Sequence, residues 1–127
     1  MNPREISPSP IQWVEGGITA PGGFTASGVR AGIKQEGLDL ALVFSEHEAA
    51  VAGVFTRNTL AAAPVHLCRE RVHRGKARAV IINSGNANAC TGESGEKDAL
   101  AMARRTGEAL GLDGDDQILV ASTGIIG

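Results

Sequence analysis

Residues 77–124 read ARAVIINSGNANACTGESGEKDALAMARRTGEALGLDGDDQILVASTG, and their pattern decides the fold. Ala77–Ile82 is an apolar, β-branched run of strand length. NSGNANACTG at 83–92 is a polar turn of asparagine and glycine, residues that tolerate left-handed backbone. A helix is expected from about Gly95 to Leu110, where Ala99, Met102, Ala103, Thr106, Ala109 and Leu110 recur at helical spacing. Ser94 is its expected N-cap, and Glu93, Glu96 and Asp98 lie at the positive end of the helix dipole. Arg104 and Arg105 fall in its second half, and Gly111 closes it. Gln117–Ala121 makes a last strand into Ser122-Thr123-Gly124. Strand, loop, helix, strand is a βαβ-like unit. Parallel pairing would bring the turns after both strands to one edge, where sites form in open α/β layers. Antiparallel pairing would separate them.

Upstream, the chain continues to alternate. Leu38–Ser45 and Ala49–Thr56 read as two buried strands, with Glu46-His47-Glu48 as the hairpin turn or short connection between them. Pro64 can sit in the first turn of a helix over Val65–Arg74. Val65, Cys68 and Val72 share its apolar face, Arg69, Arg71 and Arg74 lie on or beside the wet face, and Gly75 is its stop. The stretch 16–32 holds six glycines, at 16, 17, 22, 23, 28 and 32. No Gly-Lys-Ser/Thr follows, so it is not a phosphate loop, and it lacks the spacing of a dinucleotide fingerprint. It reads as turns between short strands. Residues 1–12, rich in Pro and Ser, read as a flexible leader, leaving 13–127 as the folded part.

Composition narrows the class. The chain has 127 residues, 43% of them hydrophobic, enough for one domain or part of a larger one. Seventeen glycines against one Trp and three Phe point to an aliphatic core with tight turns. Twelve basic and 14 acidic residues give a net charge of −2, without the basic face of a nucleic-acid binder. No apolar run approaches the ~20 residues that span a bilayer. No apolar segment follows Arg4-Glu5, so no secretory signal is recognised, and a cytoplasmic setting with reduced thiols is expected. Cys68 and Cys90 fit no metal or redox spacing and read as ordinary thiols, the first on a helix, the second in a turn.

Few residues can carry chemistry. His47, His66 and His73 fit no metal pattern, and His47-Glu48 lacks the second histidine of a zinc-protease signature, position 51 being Val. Ser84, Ser94 and Ser122 do not stand in a Gly-x-Ser-x-Gly elbow. The turn with Asn83, Asn86, Asn88 and Thr91 can present amides and backbone donors, or simply cap and pack. Thr123-Gly124 sets a hydroxyl on a stiff stem beside a residue whose backbone can be approached closely. Two such donors can stabilise an oxyanion in acyl transfer. A plain strand-to-turn junction uses the same dipeptide, and spacing alone does not separate the two. A non-catalytic structural or small-ligand-binding module is therefore open on the residues alone.

Several segments taken together resemble the amino-terminal, α-chain part of the ornithine acetyltransferase family, the bifunctional ArgJ glutamate N-acetyltransferases. They are GGITAPGGFTASGVRAGIK at 16–34, LDLALVFSE at 38–46, AGVFTRNTLAAAPV at 52–65, ARAVIINSGNANACTGESGEKDA at 77–99 and LVASTGIIG at 119–127. The asparagine-rich turn and the STGIIG ending are the specific parts. The resemblance implies an α/β fold, a layered mixed sheet with packed helices, of which this is the amino-terminal portion. It implies transfer of acetyl from N-acetylornithine to glutamate in arginine biosynthesis, in some members also from acetyl-CoA, with no resident cofactor and no metal. It implies self-cleavage before a threonine that carries the acetyl group at the head of a β chain, an α2β2 assembly, and Thr123 and Gly124 as the oxyanion hole. The family's Met-Ala-Thr cleavage motif and most of its substrate-binding residues lie downstream of the Thr-Gly pair. No Met-Ala-Thr occurs in residues 1–127, and the chain ends before the expected end of an α chain. By itself it is expected to be inactive.

Overall fold

A computed structural model describes residues 11–126. The expected leader falls largely on residues 1–10, outside the described part. A short 3-10 turn at Gly17–Thr19 leads into strand β1 (Phe24–Val29), then β2 (Leu40–Ala50), helix α1 (Ala63–Val72), β3 (Lys76–Asn86), helix α2 (Gly92–Ala109) and β4 (Ile118–Ile125). The four strands form one sheet in the order β1-β2-β3-β4. The first three are antiparallel, while β3 and β4 run parallel, joined through α2. The βαβ-like unit is therefore present in its parallel form, within a mixed α/β sheet.

Alternation along the strands separates two faces. Leu42, Ile81 and Val120 form one cross-sheet row, and Phe44, Ala79 and Ile118 the next. These rows meet Ala103 and Met102 of α2, Leu67 of α1, and Leu110 and Leu112 beyond α2. Ile118 is completely buried, which contributes on the order of 1.5–3 kcal/mol. Ala103 is also completely buried, and its small side chain lets α2 lie close on the sheet. The opposite face carries Ala41, Val43, Val80, Ile82, Leu119 and Ala121, all half-buried.

Three expectations are corrected. The segments 38–45 and 49–56 are not two hairpin strands. One strand, β2, runs through Glu46-His47-Glu48, and no regular structure follows over 51–58. The polar triplet bulges instead of turning: Phe44 pairs with Ala79 and Ala49 with Ala77. The Arg78 guanidinium satisfies the carbonyls this frees, donating to Ser45 O at 3.1 Å and Glu46 O at 2.6 Å. The glycine-rich stretch 16–32 holds a 3-10 turn and one strand, not several. The third correction is Arg71, which is buried rather than on or beside the wet face of α1. It donates to the carbonyls of Asp115 and, at 2.5 Å, Ile118, and pairs with the Asp115 carboxylate at 2.8 Å. It thus clamps α1 to the start of β4. Its neighbour Cys68 makes a second tie, with its Sγ 3.1 Å from Val120 O and 3.3 Å from Val120 N. Burial pushes the Cys68 thiol pKa up, against the effect of its backbone bond to Val120.

Replacing Arg71 with Ala leaves two carbonyls and a carboxylate short of a donor. The expected loss is about 2–4 kcal/mol in urea unfolding. Arg74→Ala, which breaks only an exposed pair with Asp116, should stay within about 0.5 kcal/mol of the parent.

Candidate active site

The strand ends extend further than the sequence suggests. Asn83 to Asn86 belong to β3 rather than to a turn, and Ser122, Thr123 and Gly124 belong to β4. The pairing runs Asn83 with Ser122, Ser84 with Thr123, Gly85 with Gly124 and Asn86 with Ile125. The two polar segments therefore do share one edge, as parallel pairing requires.

Gly85 and Gly124 make this approach sterically possible. Gly124 has φ +136°, and a Cβ there would lie 2.6 Å from Asn86 N and 2.7 Å from Gly85 O. Gly85 has φ +118°, and a Cβ there would lie 2.9 Å from both Ile33 Cγ2 and Lys34 Cγ. The side chains of Ile33 and Lys34 thus pack directly on the Gly85 backbone, and that backbone lies directly against Gly124.

Alternation sends the neighbouring side chains to opposite faces. Ser122 lies in the row of Asn83 and Leu40, on the helix side. With Ile33, Asn86, Asn88, Asp98 and Met102 they line a cleft of about 240 Å³. The Ser122 hydroxyl is buried and has no hydrogen-bond partner. Thr123 falls on the face away from the helices and is exposed. The Thr123 hydroxyl and the Gly124 backbone therefore stand at the open end of the parallel pair.

The asparagine turn is held by its own side chains. Asn83 Nδ2 donates to Asn86 O at 2.9 Å, and Asn88 N donates to Asn86 Oδ1 at 2.8 Å. Asn88 is buried with φ +49°. Its Nδ2 donates to Gly95 O at 2.8 Å, and its Oδ1 accepts from the Thr91 hydroxyl at 2.6 Å. That network starts α2 at Gly92, one turn earlier than expected. Ser94 is an exposed residue inside the helix and not its cap; Thr91 occupies the cap position without a side-chain cap bond. Gly95 is enclosed, since a Cβ there would lie 2.7 Å from Thr91 Cβ.

One participant was missed from sequence. Asp39 is buried, and its carboxylate accepts the N–H groups of Ala31 at 2.6 Å, Ile33 at 2.6 Å and Lys34 at 2.8 Å. These bonds, led by that of Lys34, hold its pKa below the usual carboxylate value against the opposing effect of burial. A lone Asp at the head of an apolar strand, after a loop with Gly32 and Gly37, was the available signal. His66 on α1 contacts Ala61 O and lines a cavity with Cys90 and Thr91 beyond the asparagine turn, and His47 is exposed on the β2 bulge.

This arrangement falls inside a stretch with clear relatives. Residues 25–127 match the ArgJ family. The chain belongs to the ArgJ family. It is 54% identical over 117 residues to the arginine biosynthesis bifunctional protein ArgJ of Caldanaerobacter subterraneus subsp. tengcongensis, covering 92% of this chain and 29% of that protein. It is 52% identical over 110 residues to the glutamate N-acetyltransferase of Methanopyrus kandleri, covering 87% of this chain and 27% of that one. The fold matches the ornithine acetyltransferase of Mycobacterium tuberculosis, solved in complex with ornithine, with a TM-score of 0.83 and 51% identity over 87% of this chain and 60% of that one. The ArgJ protein of Bacillus halodurans gives a TM-score of 0.84 at 39% identity, over 88% of this chain and 59% of that one. This ArgJ-family chain thus spans under a third of the length of these curated relatives. Among its described residues, no helix is long and apolar enough to cross a membrane.

Gly124→Ala should destabilise the fold by on the order of 3 kcal/mol or more in chemical unfolding, because both the backbone angle and the space forbid a methyl group. Ser122→Ala, which removes only an unpartnered hydroxyl, should be within about 1 kcal/mol of neutral. Acid should release the 31–34 loop late. With its folded pKa depressed, Asp39 contributes in full above the unfolded value of about 3.9 and loses that contribution as pH falls through the folded one. In an NMR pH titration, the Ile33 and Lys34 amide signals should keep their neutral-pH positions until the pH is below that of an ordinary carboxylate.

Proposed function

We propose that this chain supplies the oxyanion-binding segment of an acetyltransferase that moves acetyl from N-acetylornithine to glutamate in cytoplasmic arginine biosynthesis. The observation that carries the reading is the Thr123-Gly124 pair, held in register against Ser84-Gly85 at the open end of two parallel strands. Membership of the ArgJ family gives that geometry its chemistry.

In the proposed reaction a threonine hydroxyl, borne by a β chain outside these residues, attacks the acetyl carbonyl of N-acetylornithine. The carbonyl oxygen becomes negative as the centre turns tetrahedral. The Thr123 O–H and the Gly124 N–H donate to it, and such fixed donors favour the charged state over the neutral carbonyl. Collapse breaks the C–N bond, ornithine leaves as the protonated amine, and the acetyl group remains as a threonine ester. The glutamate amine then attacks that ester through the same oxyanion, giving N-acetylglutamate and regenerating the hydroxyl. Acetyl-CoA can enter the first half-reaction in place of N-acetylornithine, with a thiol as leaving group. No resident cofactor or metal is required. The chain works within an α2β2 assembly and is inactive without the threonine-bearing part.

The test joins residues 1–127 to the remaining segments of the Mycobacterium tuberculosis ornithine acetyltransferase and compares Thr123→Ala with the parent chimera. Loss of one oxyanion donor typically raises the barrier by ~2.7–4 kcal/mol, so kcat should fall by about 10²–10³ with little change in KM. Thr123→Ser should retain most of the activity. An unchanged kcat in the alanine variant would refute the assignment and leave a structural role for this edge.

A further inference from the structure

The connection between β1 and β2 is built around one carboxylate. Asp39 is 2% exposed, and its side chain gathers three backbone N–H groups from the short run Ala31 to Lys34. Converging main-chain donors of this kind make an anion-binding concavity, here filled by the chain's own carboxylate. The Asp39 main chain is tied on both sides as well. Its N–H donates to Val29 O at 3.1 Å, and its carbonyl accepts from Ser84 N at 2.8 Å. Asp39 therefore connects β1, the 30–38 loop and β3 at the level of the site.

The loop so held lies against the glycine stack. Ile33 and Lys34 occupy the space where a Gly85 side chain would be, and Gly85 in turn occupies the space where a Gly124 side chain would be. Ile33 also walls the cleft into which Asn83 and Ser122 face. The order of contact is carboxylate, Ile33-Lys34, Gly85, Gly124. The carboxylate holds the main chain of Ile33 and Lys34, the near ends of their side chains (Ile33 Cγ2 and Lys34 Cγ) meet Gly85, and Gly85 meets Gly124 backbone to backbone, so little slack is available between them.

We propose that Asp39 is a positioning residue for the Thr123-Gly124 donor pair, acting through the Ile33-Lys34 wall and Gly85. The role rests on the reading of Thr123 and Gly124 given above. Asp39 touches no reacting atom. Its effect is to keep the two donors where the developing charge will be, and catalysis is sensitive to misplacement on the scale of ~1 Å.

The experiment has two arms. In the 127-residue chain, Asp39→Asn keeps the shape but removes the charge, and Ile33→Ala removes the wall while leaving the carboxylate intact. Amide hydrogen exchange by NMR should speed up about tenfold or more at Ile33 and Lys34 in Asp39→Asn. Amide shifts of Gly85 and Gly124 should move in both variants, and those of the distant α1–β3 connection at Gly75 should not. Unmoved Gly85 and Gly124 signals overturn the proposal, even where the loop itself loosens. In the chimeric enzyme, Asp39→Asn should lower kcat about tenfold or more with KM nearly constant. Its effect should be much smaller when Thr123 is already Ala, because both act on one donor. Full additivity of the two substitutions overturns the proposal. A Thr123→Ala change without effect would instead refute the oxyanion reading, while the NMR arm still decides whether Asp39 positions the glycine pair.

Discussion

The close parallel approach of Gly85 and Gly124 is the constraint on which the rest of the site depends. A methyl group on Gly124 would meet the main chain of Gly85 and Asn86. Bringing two backbones that near depends on a crossover helix that packs closely along its length. At its middle, α2 lies against the sheet through Ala103, which is completely buried. Near the C-terminal end of that helix, Gly107 leaves room for Gly114 O, which would lie 2.6 Å from a Cβ, so the return to β4 hugs the helix. Small residues at these contacts shorten the crossover, and β3 and β4 pair without a gap.

The two sides of the β4 end serve different purposes. On the helix side, polar groups are spent on structure: Asn83, Asn86, Asn88 and Thr91 bond one another and the main chain. Asn88 accepts a left-handed conformation that most residues resist, and its side chain offsets the strain by fixing the start of α2. On the other side, Thr123 remains exposed, with its β-branched side chain fixed to a strand rather than to a loop. A donor on a strand is held more closely than one on a loop, which suits a role requiring preorganisation.

Much of this was legible in the sequence because it depends on local signals. The period-3.6 pattern located α2, Pro64 and Gly75 bracketed α1, and the β-branched runs located β3 and β4. The features that were not legible depend on partners far along the chain. Glu46-His47-Glu48 has the look of a turn, and only Arg78, more than thirty residues on, makes it a bulge within one strand. Arg71 has the look of a solvated arginine until the Asp115 and Ile118 carbonyls are brought beside it. Ser94 is a good cap residue by type, but Asn88 and Thr91 start the helix earlier. Asp39 escaped notice because three main-chain N–H groups, which carry no sequence signature, are what make it important.

Register explains why the sequence needs both Ser122 and Thr123, and why their order matters. In a strand a shift of one residue exchanges the faces. Were β4 to slip by one, the Ser122 hydroxyl would turn outward, Thr123 would be forced into the crowded cleft beside Asn83, and Gly124 would no longer oppose Gly85. A residue with a side chain would then have to enter the gap that only glycine fits. The glycine pair therefore does more than permit close approach, since it makes one register of β4 far more favourable than its neighbours. Thr123 inherits its outward position from that choice. The buried, unpartnered Ser122 hydroxyl is the visible cost of it, a polar atom placed inward by a register that the next two residues dictate.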